Sequence, residues 1–380
     1  MPPPTTTTSA VAGSSARGSG VKATGSGGGA KDGARGGAGR GSVPGMGRRE
    51  RTIGSMPVHE DLRFRAGDLA LAATLTLPDA PGEGRIPWAL LVPSWLPRAR
   101  DGDWDRARHP AWFDDGPAGP GLLGRLADAL AARGVASLRY DPRGCGESDG
   151  SWESSDLFSR IDDARDAIGA MRSRRELDLR RTAIVGHGEG TVIALSVAVA
   201  DPAIGALGVI GGFARSFRDV MRRGVAERAR AGRDRQHPAV AALDRLAEEI
   251  VERVERHERE VTLSIGDEVV TLALAGWEQA FRTPPLALAT MLHRSVVILH
   301  GSDDAWADPD EARLLADVLR ESGNDPVIQL ADGSGHDLAD AADDVIEAFA
   351  DALVARMEPR ELPPVLVAIE QMSSSLDSSA

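Results

Sequence analysis

From residue 59 onward the apolar positions alternate between short runs of strand length and longer segments with helical spacing. Residues 62–65 and 69–77 flank Gly67-Asp68 and predict a β-hairpin. Residues 88–92 form a continuous apolar run stopped by Pro93, the pattern of a strand buried on both faces. Helical spacing over 122–132 leads into a strand at 135–140, and an amphipathic helix over 157–171 into a strand at 183–185 and a helix over 192–199. Residues 204–210, 296–300 and 327–330 read as further strands, and 309–319 and 339–357 as helices. Strands alternating with helices over this length predict an α/β fold, a mostly parallel sheet with helices on both faces.

Two kinds of segment break the alternation. Residues 96–120 are rich in Pro, Gly, Asp and Arg and predict a long loop. Residues 214–294 predict a helical and hairpin cap insertion. Val240, Leu243, Leu246, Ile250 and Val254 mark one face of a charged helix, and residues 261–265 and 269–274 flank Gly266-Asp267 as a hairpin. An insertion here would sit over the carboxyl ends of the strands, where open α/β sheets bind ligands. The chain thus divides into a tail (1–55), a first core part (56–213), the cap (214–294), a second core part (295–360) and a C-terminal extension (361–380), with a frayed end over 373–380. The tail is Gly, Ser, Thr, Ala and Pro with almost no large apolar side chains, a composition that predicts disorder. Folded character begins just after Met56, which with Met46 offers an alternative start of translation.

Charge sharpens this division. The net charge is −13, but residues 1–55 carry eight Lys/Arg against two Asp/Glu, so the remainder stands at −19. So acidic a body disfavours nucleic acid or an anionic membrane as partner. Oligomeric state is not readable. With Cys145 as the single cysteine, no intrachain disulfide can form, which fits a cytoplasmic protein. No run has the length of a membrane span, the histidines are dispersed without metal-ligand spacing, and no nucleotide loop is present; neither metal nor cofactor is expected.

Candidate chemistry centres on Gly186-His187-Gly188-Glu189-Gly190, between a predicted strand and helix. Strand, glycine turn and helix form the setting of a nucleophile elbow, whose strained bend lifts its middle side chain into the active site. Here the middle residue is Gly188, which has no side chain. Together with Leu138-Arg139-Tyr140-Asp141-Pro142-Arg143-Gly144-Cys145-Gly146-Glu147-Ser148, Leu299-His300-Gly301-Ser302-Asp303-Asp304 and Gly333-Ser334-Gly335-His336-Asp337, the order of landmarks resembles the α/β-hydrolase fold. The resemblance runs from about residue 60 to 357 and is nearest to the bacterial esterase and serine-aminopeptidase (S33) branch, whose elbow reads G-H-S-E-G. It departs from that branch at the nucleophile.

The resemblance implies a role for each landmark. It puts the acid of the triad on Asp304, with Asp303 as the neighbouring choice, and the histidine on His336. It gives the oxyanion hole to the backbone N–H of Glu189 and of Trp95, with Ser94 second for the latter and Pro93 unable to donate. His187 is assigned to packing. Arg100-Asp101-Gly102 resembles a D-R-D-G loop of the same branch, read equally as a loop pinned by polar contacts. Ser94 and Cys145 are the remaining nucleophiles by residue type. Three readings follow: a His336–Asp304 dyad acting as general base on an ester- or thioester-like substrate without a serine nucleophile, by hydrolysis or elimination; a catalytically silent binder of a small molecule; and an inactivated serine esterase or peptidase.

Overall fold

A computed structural model describes residues 56–79, 84–110, 121–231, 238–265 and 268–368, the side chains of 227–231, 238–245 and 265 excepted. In chain order the first part holds β1 (Val58–Ala66), β2 (Leu69–Leu77), β3 (Ile86–Val92), α1 (Leu122–Ala131), β4 (Ala136–Tyr140), α2 (Leu157–Met171), β5 (Leu177–His187), α3 (Gly190–Ala200) and β6 (Ile204–Ile210). An insertion follows, with α4 (Phe217–Ala231), α5 (Pro238–Glu255), the hairpin β7 (Glu260–Ile265) and β8 (Glu268–Ala273), α6 (Ala275–Arg282) and α7 (Pro285–Ala289). β9 (Ser295–Gly301), α8 (Asp310–Glu321), β10 (Val327–Ala331) and α9 (Asp343–Val354) complete the fold.

Among the described residues, eight strands form one sheet in the order β1-β2-β4-β3-β5-β6-β9-β10, while β7 and β8 pair separately. β1 and β2 are antiparallel, and β2 joins β4 antiparallel; from β4 to β10 every pairing is parallel. Residues on the central strands alternate between two cores, as strand geometry requires. Trp88, Leu90 and Val92 of β3 pack on the face covered by α2, α3 and α8. Ala89 and Leu91 pack on the face covered by α1 and α9. α3 is apolar all round because both its sides are covered, and eight of its residues are buried.

Several element boundaries differ from the sequence expectation for identifiable reasons. β5 starts six residues before the apolar run, because its first residues set buried Leu177 and Leu179 among the half-buried Asp178 and the exposed Arg180 and Arg181. α9 starts at Asp343 rather than 339, since Leu338 has a positive φ and residues 336–342 form turns. α4 is an Arg-rich helix without a long apolar stripe, and its length is not apparent from the pattern. The described part of the C-terminal extension docks, with Leu362 and Leu366 buried against Leu179 and Ala203. The tail, Val240, Leu243, part of the 96–120 loop and the end over 373–380 lie outside the residues or side chains described. No helix among the described residues is long and apolar enough to cross a membrane.

This topology positions the site. β3, β5, β9 and β10 run parallel, so the loops that follow Val92, His187, Gly301 and Ala331 leave the sheet at the same edge.

Candidate active site

β5 ends at His187 and α3 begins at Gly190, so Gly188 and Glu189 make the whole turn. Gly188 has a φ of +55°, in the left-handed region that side chains of L-residues disfavour. Its flanking glycines serve close approach. A Cβ on Gly186 would lie 2.3 Å from the Gly190 carbonyl oxygen, and one on Gly190 would lie 2.5 Å from that of Pro93. A Cβ on Gly188 would instead meet side chains: Ser94 Oγ at 2.6 Å and His336 Nε2 at 2.9 Å. The tip of the turn is therefore a bare bend, with a hydroxyl and an imidazole gathered over it.

The imidazole is held by a carboxylate. His336 Nδ1–H donates to Asp304 Oδ2 at 2.8 Å, and the Asp304 side chain is fully buried. Its other oxygen accepts the N–H groups of Trp306 (2.8 Å) and Ala307 (2.9 Å), which fixes its plane. His300 Nε2 lies 3.2 Å from Oδ2 while donating to Ala307 O at 2.7 Å. Burial alone would raise the Asp304 pKa, but the charge on His336 and the two histidine hydrogen bonds hold it well below the usual carboxylate range. Burial lowers His336, yet the charge and hydrogen bond of Asp304, with Asp337 beyond, leave it above the ordinary histidine value. Such a pair can take a proton at Nε2 and stabilise the imidazolium that results.

Beneath the bend, His187 is buried, and its Nε2–H donates to His336 O at 3.2 Å. Burial, then the charge on His336, pushes its pKa down to about 3, so it stays neutral and serves as a support. Asp337 is tied to the buried Arg98 at 2.7 Å, and Arg98 also donates to Gly102 O and lies 3.5 Å over the Trp104 ring. Around it the 98–104 segment is pinned as a loop, with Arg100 bonded to Asp141 and Asp101 to Arg139.

Trp95 follows Ser94 in the loop after β3. Its carbonyl accepts from Trp152 Nε1 (2.6 Å) and Arg160 (3.2 Å), and the Arg160 guanidinium stacks 4.6 Å from its ring. Among the described residues, neither the Trp95 N–H nor the Glu189 N–H has a protein acceptor. The Glu189 carboxylate is buried without a hydrogen-bond partner, and Arg160 stands 4.0 Å away. Burial pushes its pKa up to about 7 against the pull of Arg160.

Ser94, Gly188 and His336 open into one cavity. The walls are aromatic and aliphatic. Trp95 stacks on Trp277 at 4.9 Å and on Phe217 at 6.2 Å, and Phe217 stacks on Phe213 at 5.4 Å. Val220, Leu246, Ala247 and Ile250 of the insertion line the same space, with Trp306 next to the acid loop.

The structure thus brings together His336, Asp304, Gly188, Glu189, Trp95 and Ser94. It does not bring in Asp303, which is exposed and bonded to Ser302 and Ser334. Nor does it bring in Cys145, a core residue whose thiol burial pushes up to about 12. His300, Arg98 and Arg160 support the site and escape the motif reading. The one sequence signal is a histidine at the end of an apolar strand; the two arginines carry none. Two groups of potential metal ligands exist among the described residues: His187, His336 and Asp337, which belong to the dyad's surroundings, and Asp105, His109 and Cys145. In the second group Asp105 accepts from Gly146 N and His109 Nε2 donates to Gly144 O, so those atoms are already committed.

Residues 121–341 match the family described as serine aminopeptidase, S33. Comparison with curated proteins by sequence finds no match. Among solved structures, Est1E from Butyrivibrio proteoclasticus with ferulic acid bound is similar at a TM-score of 0.54 and 14% identity, over 77% of this chain and 99% of that one. An α/β hydrolase, GrgF, from a Penicillium species has a TM-score of 0.53 and 17% identity, over 79% and 99%. The acylaminoacyl peptidase of Pyrococcus horikoshii has a TM-score of 0.54 and 14% identity, over 83% of this chain and 44% of that one. At these identities the likeness establishes the fold.

Proposed function

Since the chain belongs to the serine aminopeptidase S33 family, we propose that it cleaves a small ester- or thioester-like substrate with an apolar acyl or aryl group, using His336 and Asp304 as the base. One observation carries this reading: a carboxylate-bound imidazole whose Nε2 would stand 2.9 Å from a Cβ on the bare bend of Gly188, at the polar end of an aromatic cavity. The cavity offers polar groups at one end only, which favours a ligand with one reactive polar group and an apolar remainder. Positioned base catalysis contributes typically ~10²–10⁴-fold, and the N–H groups of Glu189 and Trp95 supply a site for the developing oxyanion. Elimination would use the same base but take its proton from a substrate carbon, with the leaving group departing and no bond formed to water.

The test is turnover of 4-nitrophenyl esters and acyl thioesters of increasing acyl length. Wild-type protein is expected to act best on apolar acyl groups that fill the cavity. His336→Ala is expected to lower turnover at least about 100-fold without loss of fold by circular dichroism. Ligand-induced stabilisation with no turnover in any variant would favour a binder instead.

A further inference from the structure

We propose that Ser94 is the nucleophile, displaced from the elbow to the neighbouring loop and reaching the catalytic centre because residue 188 is glycine. The inference rests on the reading of His336 and Asp304 as the base, and names the group whose proton that base removes. Ser94 Oγ and His336 Nε2 both fall within 2.9 Å of one point, the position a Cβ on Gly188 would take. Any side chain at 188 would drive the hydroxyl away. The Ser94 side chain is buried yet lines the cavity, and among the described residues no protein group bonds its hydroxyl.

The loop is built to hold that position. Pro93 restricts the backbone before Ser94, and its carbonyl presses against Gly190. After it, the Trp95 carbonyl is held by Trp152 and Arg160 and its ring by Trp277. A hydroxyl is a weak nucleophile until an adjacent base takes its proton.

The steps balance as ordinary acyl transfer. His336 Nε2 takes the Ser94 hydroxyl proton as Oγ bonds the carbonyl carbon, with the oxyanion facing the N–H groups of Glu189 and Trp95. The bond to the leaving oxygen or sulfur breaks, and that atom takes the proton from His336. Water then gives a proton to His336 as its oxygen bonds the acyl carbon. The bond to Oγ breaks, Oγ takes the proton back, and the free acid leaves.

The experiment treats the full chain with a fluorophosphonate probe, maps the adduct by peptide mass spectrometry, and measures 4-nitrophenyl ester turnover for wild type, Ser94→Ala and His336→Ala. Thermal melts check that each variant folds. A single adduct on Ser94, lost in Ser94→Ala together with at least about 100-fold of turnover, supports the proposal. Turnover that survives Ser94→Ala but collapses in His336→Ala overturns it and leaves the dyad acting on water. An adduct on another residue overturns it as well. Turnover indifferent to both substitutions overturns the dyad reading itself, and the nucleophile assignment with it.

Discussion

Replacing Gly188 with alanine adds one methyl group at the place where the chemistry is proposed to occur. Two effects can be worked from the structure. The first is conformational: at a φ of +55° an L-residue costs roughly 1–2 kcal/mol, partly offset by about 0.4–1 kcal/mol from a less flexible unfolded chain. The second is contact: the methyl carbon would stand 2.6 Å from Ser94 Oγ and 2.9 Å from His336 Nε2, both well inside van der Waals separation. Ser94 can yield by rotation, at about 0.5–1.5 kcal/mol if it leaves a rotamer well, whereas the ring of His336 is tied to Asp304 and must tilt. Net destabilisation of about 1–2 kcal/mol should lower the melting temperature by roughly 2–4 °C. Turnover should fall far more, about 100-fold, because a displacement near 1 Å of reacting groups has that effect. Calorimetry and a 4-nitrophenyl ester assay on the same preparation separate the two effects. An alanine variant with wild-type turnover would refute the use of the bare bend, whatever its stability.

Other substitutions probe the remaining parts. Gly188→Ser meets the same contacts as the alanine but adds a hydroxyl at the tip of the turn, so once Ser94 and His336 shift to admit it a fluorophosphonate should label residue 188 and nitrophenol should appear in a burst; labelling confined to another residue would count against the turn as an elbow. Ala247→Phe fills the cavity between α5 and the stacked aromatics, and should lower kcat/KM for long acyl esters at least about 10-fold while sparing acetate. An equal effect on both substrates would remove the cavity from the acyl-binding role. Arg160→Met removes the cation beside buried Glu189. Because the Glu189 pKa is already raised to about 7 from 4.5, its ionisation weakens the fold increasingly as pH rises through that window. Without Arg160 the pKa moves higher still, so the extra loss should grow above pH 7 toward about 3–5 kcal/mol. Urea unfolding at pH 6 and pH 9 checks this, and a pH-independent loss would contradict it.

Most of the sheet is legible in the sequence because central parallel strands are buried on both faces, and burial writes itself as unbroken apolar runs such as residues 88–92 and 204–210. The pairing of His336 with Asp304 is legible through the resemblance of residues 299–304 and 333–337 to landmarks of the α/β-hydrolase fold, and the two side chains do meet. Less legible is whatever depends on contacts across the chain. α4 carries Val220 and Met221 into the cavity, yet its Arg-rich sequence has no sustained period. Arg98 and Arg160 look like surface residues until Asp337, Trp104, Trp95 and Glu189 are gathered around them. Ser94 is one serine among many in the sequence, and only the approach of its hydroxyl to the point over Gly188 that the His336 ring also approaches distinguishes it.

The most direct measurement is the pH dependence of kcat/KM for wild type and Asp304→Asn. The pair predicts activity that rises with pH as His336 loses its proton, with a midpoint above the ordinary histidine value because Asp304 stabilises the imidazolium. Removing that carboxylate charge should shift the limb to lower pH while reducing the plateau. A flat profile, or a limb that Asp304→Asn leaves in place, would contradict the assignment of this histidine and carboxylate as the base.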